Sequence, residues 1–326
     1  ANVNERRCEL MLKNLRSKLI WLAIMVAGFV LIDIGEFTGI VNSFIENALV
    51  TIGINIILAV GLNLIIGFSG QFSLGHAGFM AIGAYATAIV TQNMATPLGF
   101  YLAMLLGMVI AVIAALIVGI PTLRLRGDYL AIATMGAAEI IRVIINNLKI
   151  TNGPAGMFNI PPLASWPTVY VLMCVTTVVI VNFVHSRSGR AIMAIRDDDI
   201  AAESIGINPT KWKLAAFVLG AATAAIGGSL HASYLQTIAP GDFGIMNSIS
   251  LLIIVVLGGV GSMTGTFVAA IVLGVIDTVL QNFGTLRMVI YALALILLMV
   301  FKPSGLLGHY ELSFSRKRRA RKEAAS

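Results

Sequence analysis

Long apolar runs, separated by short polar or Gly/Pro-rich breaks, fill most of the chain. Ten stand out, at 19–34, 46–67, 71–91, 98–120, 129–147, 167–184, 213–236, 248–261, 266–282 and 288–301. A spanning helix takes about 20 predominantly apolar residues. The pattern therefore predicts an all-α polytopic membrane protein with about ten transmembrane helices. Some late runs fall short of the ~17 residues a crossing usually needs; if one pair forms half-helices or a re-entrant segment, the range is eight to ten. Composition agrees, with 58% hydrophobic and 11% charged residues against about 25% charged in soluble domains. A soluble enzyme and a disordered chain are both excluded. Ten spans in 326 residues leave no room for a soluble catalytic domain of about 100–200 residues.

The basic residues orient the spans. With the N-terminus inside, segments 1–18, 121–128, 185–212, 262–265 and 302–326 are cytoplasmic. Of 22 Lys and Arg, all but Arg142, Lys149, Lys213 and Arg287 fall in those segments, as the positive-inside rule requires. The net charge of +7 is thus a topological signal. The run Arg316-Lys317-Arg318-Arg319-Ala320-Arg321-Lys322 reads as an anchor to anionic lipid, with no nucleic-acid partner. The expected organisation is a cytoplasmic basic tail (1–18), a transmembrane domain (19–301) holding a cytoplasmic loop (185–212), and a second cytoplasmic basic tail (302–326). The first apolar run resembles a signal peptide, but Asp33-Ile34-Gly35-Glu36 follows it in place of a small-x-small site, so an uncleaved span is expected. Cys8 lies in the basic tail and Cys174 in an apolar run; they make neither an expected disulfide nor a metal framework.

Spans two to five begin outside and spans seven to ten inside. Each set carries a glycine-broken stretch, Gly67-Phe68-Ser69-Gly70 and Gly258-Gly259-Val260-Gly261, which suggests an inverted repeat. Gly220, Ala224 and Gly228 recur every four residues, a spacing that lets helix backbones approach closely.

Polar residues within the runs are candidate chemistry. Glu139 and Arg142 stand three apart, share a helix face and can pair; they either neutralise each other or line a pathway. Asp277 has the same two readings, pathway or interfacial position, and His231 reads as a satisfied polar contact. The segment 67–78 packs Gly70, Gln71, Ser73, Gly75 and His76 into a membrane stretch. Irregular backbone survives at that depth only when buried in protein or lining a cavity. Together with Gly258, Gly259 and Gly261 it is a candidate gate or pathway; the alternative is a tight cytoplasmic turn. In the loop 185–212, Asp197-Asp198-Asp199 precedes a short helix-forming stretch, where negative charge suits a helix N-terminus, and Asn208-Pro209 is expected to end it. Such a helix is a docking surface for a cytoplasmic partner or a structural elbow. Phosphate-loop, metal-cluster and nucleophile-elbow motifs are all absent. Energy must then come from a gradient or from a separate subunit.

At these motifs the chain resembles the membrane permeases of branched-chain amino acid ABC importers, of the LivM type, over nearly all of 44–308. The resemblance is carried by Gly70-Gln71-Phe72-Ser73-Leu74-Gly75-His76-Ala77-Gly78-Phe79 and by Leu123-Arg124-Leu125-Arg126-Gly127-Asp128-Tyr129. Leu257 to Gly265 and Lys302-Pro303-Ser304-Gly305-Leu306-Leu307-Gly308 are further matches. Arg196 to Ile207 resembles the permease loop that contacts the ATPase, with Ala201, Ala202 and Gly206 at the family spacing. Three positions depart: Ile200 where loops of other importer classes often carry Glu, Asn152 where Gly is usual, and Thr266 for a frequent Pro.

The resemblance implies a transport subunit that is not itself an enzyme. It would have no cofactor of its own, ATP being bound by partner subunits. It implies a pore shared with a homologous permease subunit in the plasma or inner membrane, both termini cytoplasmic. Two cytoplasmic ABC ATPases would dock at Arg196, Asp197, Asp198, Asp199, Ala201, Ala202, Glu203 and Gly206. An extracytoplasmic binding protein would deliver branched-chain or other neutral amino acids to outer loops at 148–166 and 237–247. Urea and short-chain amide permeases look similar and are the alternative. An ion-coupled secondary transporter, with Glu139, Arg142 or Asp277 as relay, is the reading from another class.

Overall fold

The computed structural model describes residues 42–125 and 127–280, together with 28–29, 32–33, 293 and 296. Both basic tails, Arg126, Arg287, the Lys302–Gly308 motif and nearly all of the first and tenth expected spans lie outside the described residues. The packing described here lies within one compact unit, Ala48–Tyr310.

Every apolar run between 46 and 282 coincides with a helix. The helices are α1 (Ser43–Asn63), α2 (His76–Asn93), α3 (Pro97–Thr122), α4 (Asp128–Asn147), α5 (Trp166–His185), α6 (Arg187–Asp197), α7 (Asp199–Ser204), α8 (Pro209–Leu235), α9 (Ile245–Gly258) and α10 (Met263–Val279). Among the described residues there is no strand, only an isolated antiparallel bridge between Met157 and Ile238. Helices α1 (with the π turn that extends it to Phe68), α3, α5 and α8 are long and apolar enough to cross a membrane, and α9 and α10 are shorter apolar helices.

Local chemistry sets the helix starts. The Thr96 hydroxyl accepts from Gly99 N at 3.1 Å, with Pro97 in the first turn of α3. Asn208 Oδ1 accepts from Lys211 N at 3.1 Å, with Pro209 opening α8. Both follow the preference for a side-chain cap and an early proline. Asn208-Pro209 therefore begins α8 rather than ending the helix before it, which corrects the expectation; the missing proline N–H is harmless at a helix start.

Helices α2, α3 and α8 form the most closely packed group. On α3, Gly99, Ala103, Gly107, Ala111, Ala115 and Gly119 are buried at every fourth position, while Leu105, Val109, Ile113 and Ile117 are exposed. A Cβ at Gly83 of α2 would meet the Ala225 carbonyl of α8, and one at Gly228 would meet the Met80 carbonyl of α2. Lipid supplies no hydrophobic drive between helices, so close backbone approach of this kind provides the cohesion. The Ser229 hydroxyl bridges the same seam, donating to Ala225 O at 2.9 Å and lying 3.2 Å from Gly83 O.

The two glycine breaks lie against each other: a Cβ on Gly67 would meet the Gly261 backbone.

Candidate functional site

The six-residue helix α7 is fixed at both ends by its own sequence. Asp198 Oδ1 accepts from Ile200 N at 2.9 Å and from Ala201 N at 3.0 Å. At the other end Gly206 takes φ +85°, Gly206 N donates to Glu203 O at 2.9 Å and Ile207 N to Ala202 O at 3.1 Å. That pair of bonds is a Schellman ending, which calls for glycine at its left-handed residue. The other two aspartates of the triple do different work. Asp199 forms an ion pair with Lys213 of α8 at 2.7 Å, and Asp197 lies 3.2 Å from Arg196. Ala202 is buried, whereas Ala201, Glu203 and Gly206 are exposed. Ile200 and Ile205 are each 74% exposed, so α7 and the residue that ends it present two large apolar side chains outward from an otherwise acidic knuckle.

Arg196, at the end of α6, connects this knuckle to the glycine breaks. Its Nη1 donates to Gly67 O at 3.0 Å. A Cβ at Gly70 would lie 2.9 Å from the Arg196 side chain, and one at Gly261 would lie 3.2 Å from its Nη1. One guanidinium thus threads between both breaks, and glycine at 70 and 261 gives it passage. Gly70, Gly259 and Gly261 all have positive φ, at 67°, 105° and 84°. At Gly258 a Cβ would lie 2.6 Å from the Gly265 carbonyl carbon, so the α9–α10 turn closes tightly. The carbonyl that Arg196 reads belongs to the π turn Leu64–Phe68; π turns often mark functional positions in helices.

Asn63 completes the clasp. Its Oδ1 accepts from Gly261 N at 3.0 Å, while its Nδ2 donates to Ser262 O at 3.1 Å and Thr266 Oγ1 at 2.9 Å. Asn63 and Thr266 are fully buried. The sequence reading missed Asn63, although a lone amide one turn before Gly67 in an apolar run was the signal. Thr266 supplies a hydroxyl to this network. Asn152 sits at φ 60°, a conformation asparagine tolerates better than most residues.

The polar members of 67–78 are buried in protein, and Gln71 together with the backbone of Leu74 and Ala77 bonds to neighbouring helices. Gln71 donates through Nε2 to Lys213 O at 3.0 Å and to the Ser69 hydroxyl. The Ser73 hydroxyl lies 3.4 Å from Gly75 N, Leu74 N donates to Thr134 Oγ1 at 3.1 Å, and Ala77 N to Ser248 Oγ at 3.1 Å. His76 is 1% exposed. This is the arrangement that irregular backbone requires at membrane depth. The remaining candidates lie elsewhere. Glu139 and Arg142 form a two-pronged ion pair on α4, with side chains 50% and 31% exposed. Asp277 is half-buried on α10 and engaged by a neighbour.

The family model described as branched-chain amino acid transport system / permease component matches residues 44–301. The chain belongs to this family. Among curated relatives, the high-affinity branched-chain amino acid transport system permease protein LivM of Salmonella typhimurium is 36% identical over 260 residues, covering 69% of this chain and 61% of that protein. The chain thus spans about three fifths of the length of that relative. LivH of the same organism, also named a permease protein of that system, is 32% identical over 150 residues, 45% of this chain and 47% of LivH. The solved structure of PsaBC from Streptococcus pneumoniae in complex with Fab covers 82% of this chain and 95% of that one, at 15% identity and a TM-score of 0.44. The family and the apolar helices make the chain a multi-pass membrane protein.

Proposed function

We propose that the chain is a membrane-spanning subunit of an ATP-driven importer for branched-chain or other neutral amino acids. It would share the pore with a homologous permease subunit, take energy from two cytoplasmic ATPases and receive substrate from an extracytoplasmic binding protein. Membership of the permease family and the names of its LivM and LivH relatives support this reading. The observation that carries it is the clasp. A capped helix with outward Ile200 and Ile205 is built for a partner, and Arg196 beside it holds the backbone of a broken spanning helix. Orientation follows the positive-inside rule, with both termini and the α6–α7 knuckle cytoplasmic.

The mechanism is a two-state switch. ATPases that close on ATP and open after hydrolysis shift the α6–α7 knuckle. Arg196 transmits that shift to Gly67 and lies against Gly261, so both breaks feel one displacement. A partner drives this equilibrium only as far as it favours one pore state over the other.

Gentle detergent purification of the tagged chain from its native membrane, with mass spectrometry of what accompanies it, tests the reading. Two ATPases and a second permease are expected, with ATP-dependent leucine uptake once the assembly is reconstituted with its binding protein. A chain that purifies alone and transports on an ion gradient would overturn it. Uptake of urea or short amides in place of leucine would move the substrate class to the alternative.

A further inference from the structure

The far end of α8 holds a cluster that the clasp does not use. After Leu235, Gln236 turns the chain at φ 61°, Ile238 is bridged to Met157, and a short turn, Pro240–Phe243, packs against α2, α4 and α9. The turn is fixed internally: Asp242 Oδ2 accepts from Ala239 N at 2.8 Å, and Asn247 Nδ2 donates to Asp242 O at 3.1 Å. Phe243 is 2% exposed. Its ring centroid lies 6.0 Å from that of Tyr85 on α2 and 6.1 Å from that of His231 on α8, both edge-on. The Tyr85 hydroxyl and His231 Nδ1 are buried without a hydrogen-bond partner. The sequence reading took His231 as satisfied; its Nδ1 is not. Asp242, which precedes Phe243 in the turn, is exposed.

Buried polar atoms are nearly always paired, and the exceptions call for an occupant. The groups gathered here are a carboxylate, a phenol oxygen, an imidazole nitrogen and aromatic faces. That set offers acceptors and π-density to a small cation carrying several N–H donors. We propose that Asp242, Tyr85, His231 and Phe243 form an entry site for the α-ammonium group of an amino acid, with Phe243 as its floor. The proposal rests on the importer reading and gives it a substrate-sensing end: urea and simple amides carry no cation for this site to hold.

The test uses the complete importer in proteoliposomes, with leucine-loaded binding protein as the sole substrate source. Asp242→Asn retains an acceptor for Ala239 N and so retains the turn; Tyr85→Phe retains the ring. Each is expected to lower maximal leucine uptake at least tenfold. The half-saturating concentration of loaded binding protein and its stimulation of ATP hydrolysis should stay within twofold of wild type. Asp242→Glu should recover most of the rate. 3-Methylbutylamine, an ammonium without a carboxylate, should inhibit wild-type uptake from preloaded binding protein and lose that effect in Asp242→Asn. 4-Methylpentanoate should not inhibit. Unchanged maximal uptake in Asp242→Asn, a change confined to the half-saturating concentration, or equal inhibition by 4-methylpentanoate would overturn the site while leaving the importer reading in place. A wild-type assembly that moves no amino acid would overturn both.

Discussion

A single guanidinium joins the α6–α7 knuckle to both glycine breaks. Arg196 binds Gly67 O across a sequence separation that no local pattern signals. Arg196→Ala is expected to leave insertion and assembly intact and to lower ATP-driven uptake at least tenfold; uptake at the wild-type rate would remove Arg196 from the mechanism. At Gly206 the constraint is conformational, because a Cβ there meets nothing within 4 Å while φ is +85°. An L residue in that region costs about 1–2 kcal/mol, and asparagine pays least among side-chain residues. Gly206→Ala should therefore weaken ATPase retention in pull-down assays, and Gly206→Asn should weaken it less. The reverse order would mean that bulk at the partner surface decides. Local chemistry of this kind was partly legible in the sequence: the acidic triple marked the start of α7, whereas its end was expected at Asn208-Pro209 and Gly206 stood out only by its family spacing. Asn63 and Arg196 act through partners far along the chain; the sequence nominated Arg196 without naming what it holds and passed over Asn63.

At the level of elements, the apolar runs located every described helix except α6 and α7, which lie in the polar loop 185–212, because spanning length and hydrophobicity are summed properties of contiguous residues. What they mislabelled was the direction of a signal: Asn208-Pro209 is a start for α8, and a stop and a start share the same residues. The α2–α8 seam gives a prediction of its own. Gly228→Val would drive side-chain atoms into the Met80 carbonyl. Overpacking costs about 1–3 kcal/mol, occasionally more, so a lower thermal unfolding temperature in detergent is expected. Equal thermal stability would mean that the seam is looser than described. On α4, Glu139 and Arg142 pair as their spacing foretold, on an exposed face. Neutralising Glu139 alone should destabilise the protein in a bilayer more than neutralising both, since a lone charge is worse than none. Equal stability of the two variants would make the pair incidental.

For the whole molecule, the sequence conveyed the all-α membrane class and matching glycine breaks, but not that the breaks would meet. Contact between residues almost two hundred positions apart is a tertiary fact, invisible to periodicity. The helices also differ widely in length. α3 has 26 residues and α9 has 14, about 39 Å and 21 Å at a rise of 1.5 Å per residue. A hydrocarbon core is about 30 Å thick. The outward apolar flank of α3 overshoots it and accommodates the excess by leaning, whereas α9, mostly buried against its neighbours from Leu251 onward, meets its shortfall inside protein. A thinner bilayer asks for a steeper lean, so acyl-chain length is expected to bear on how α3 packs against α2 and α8.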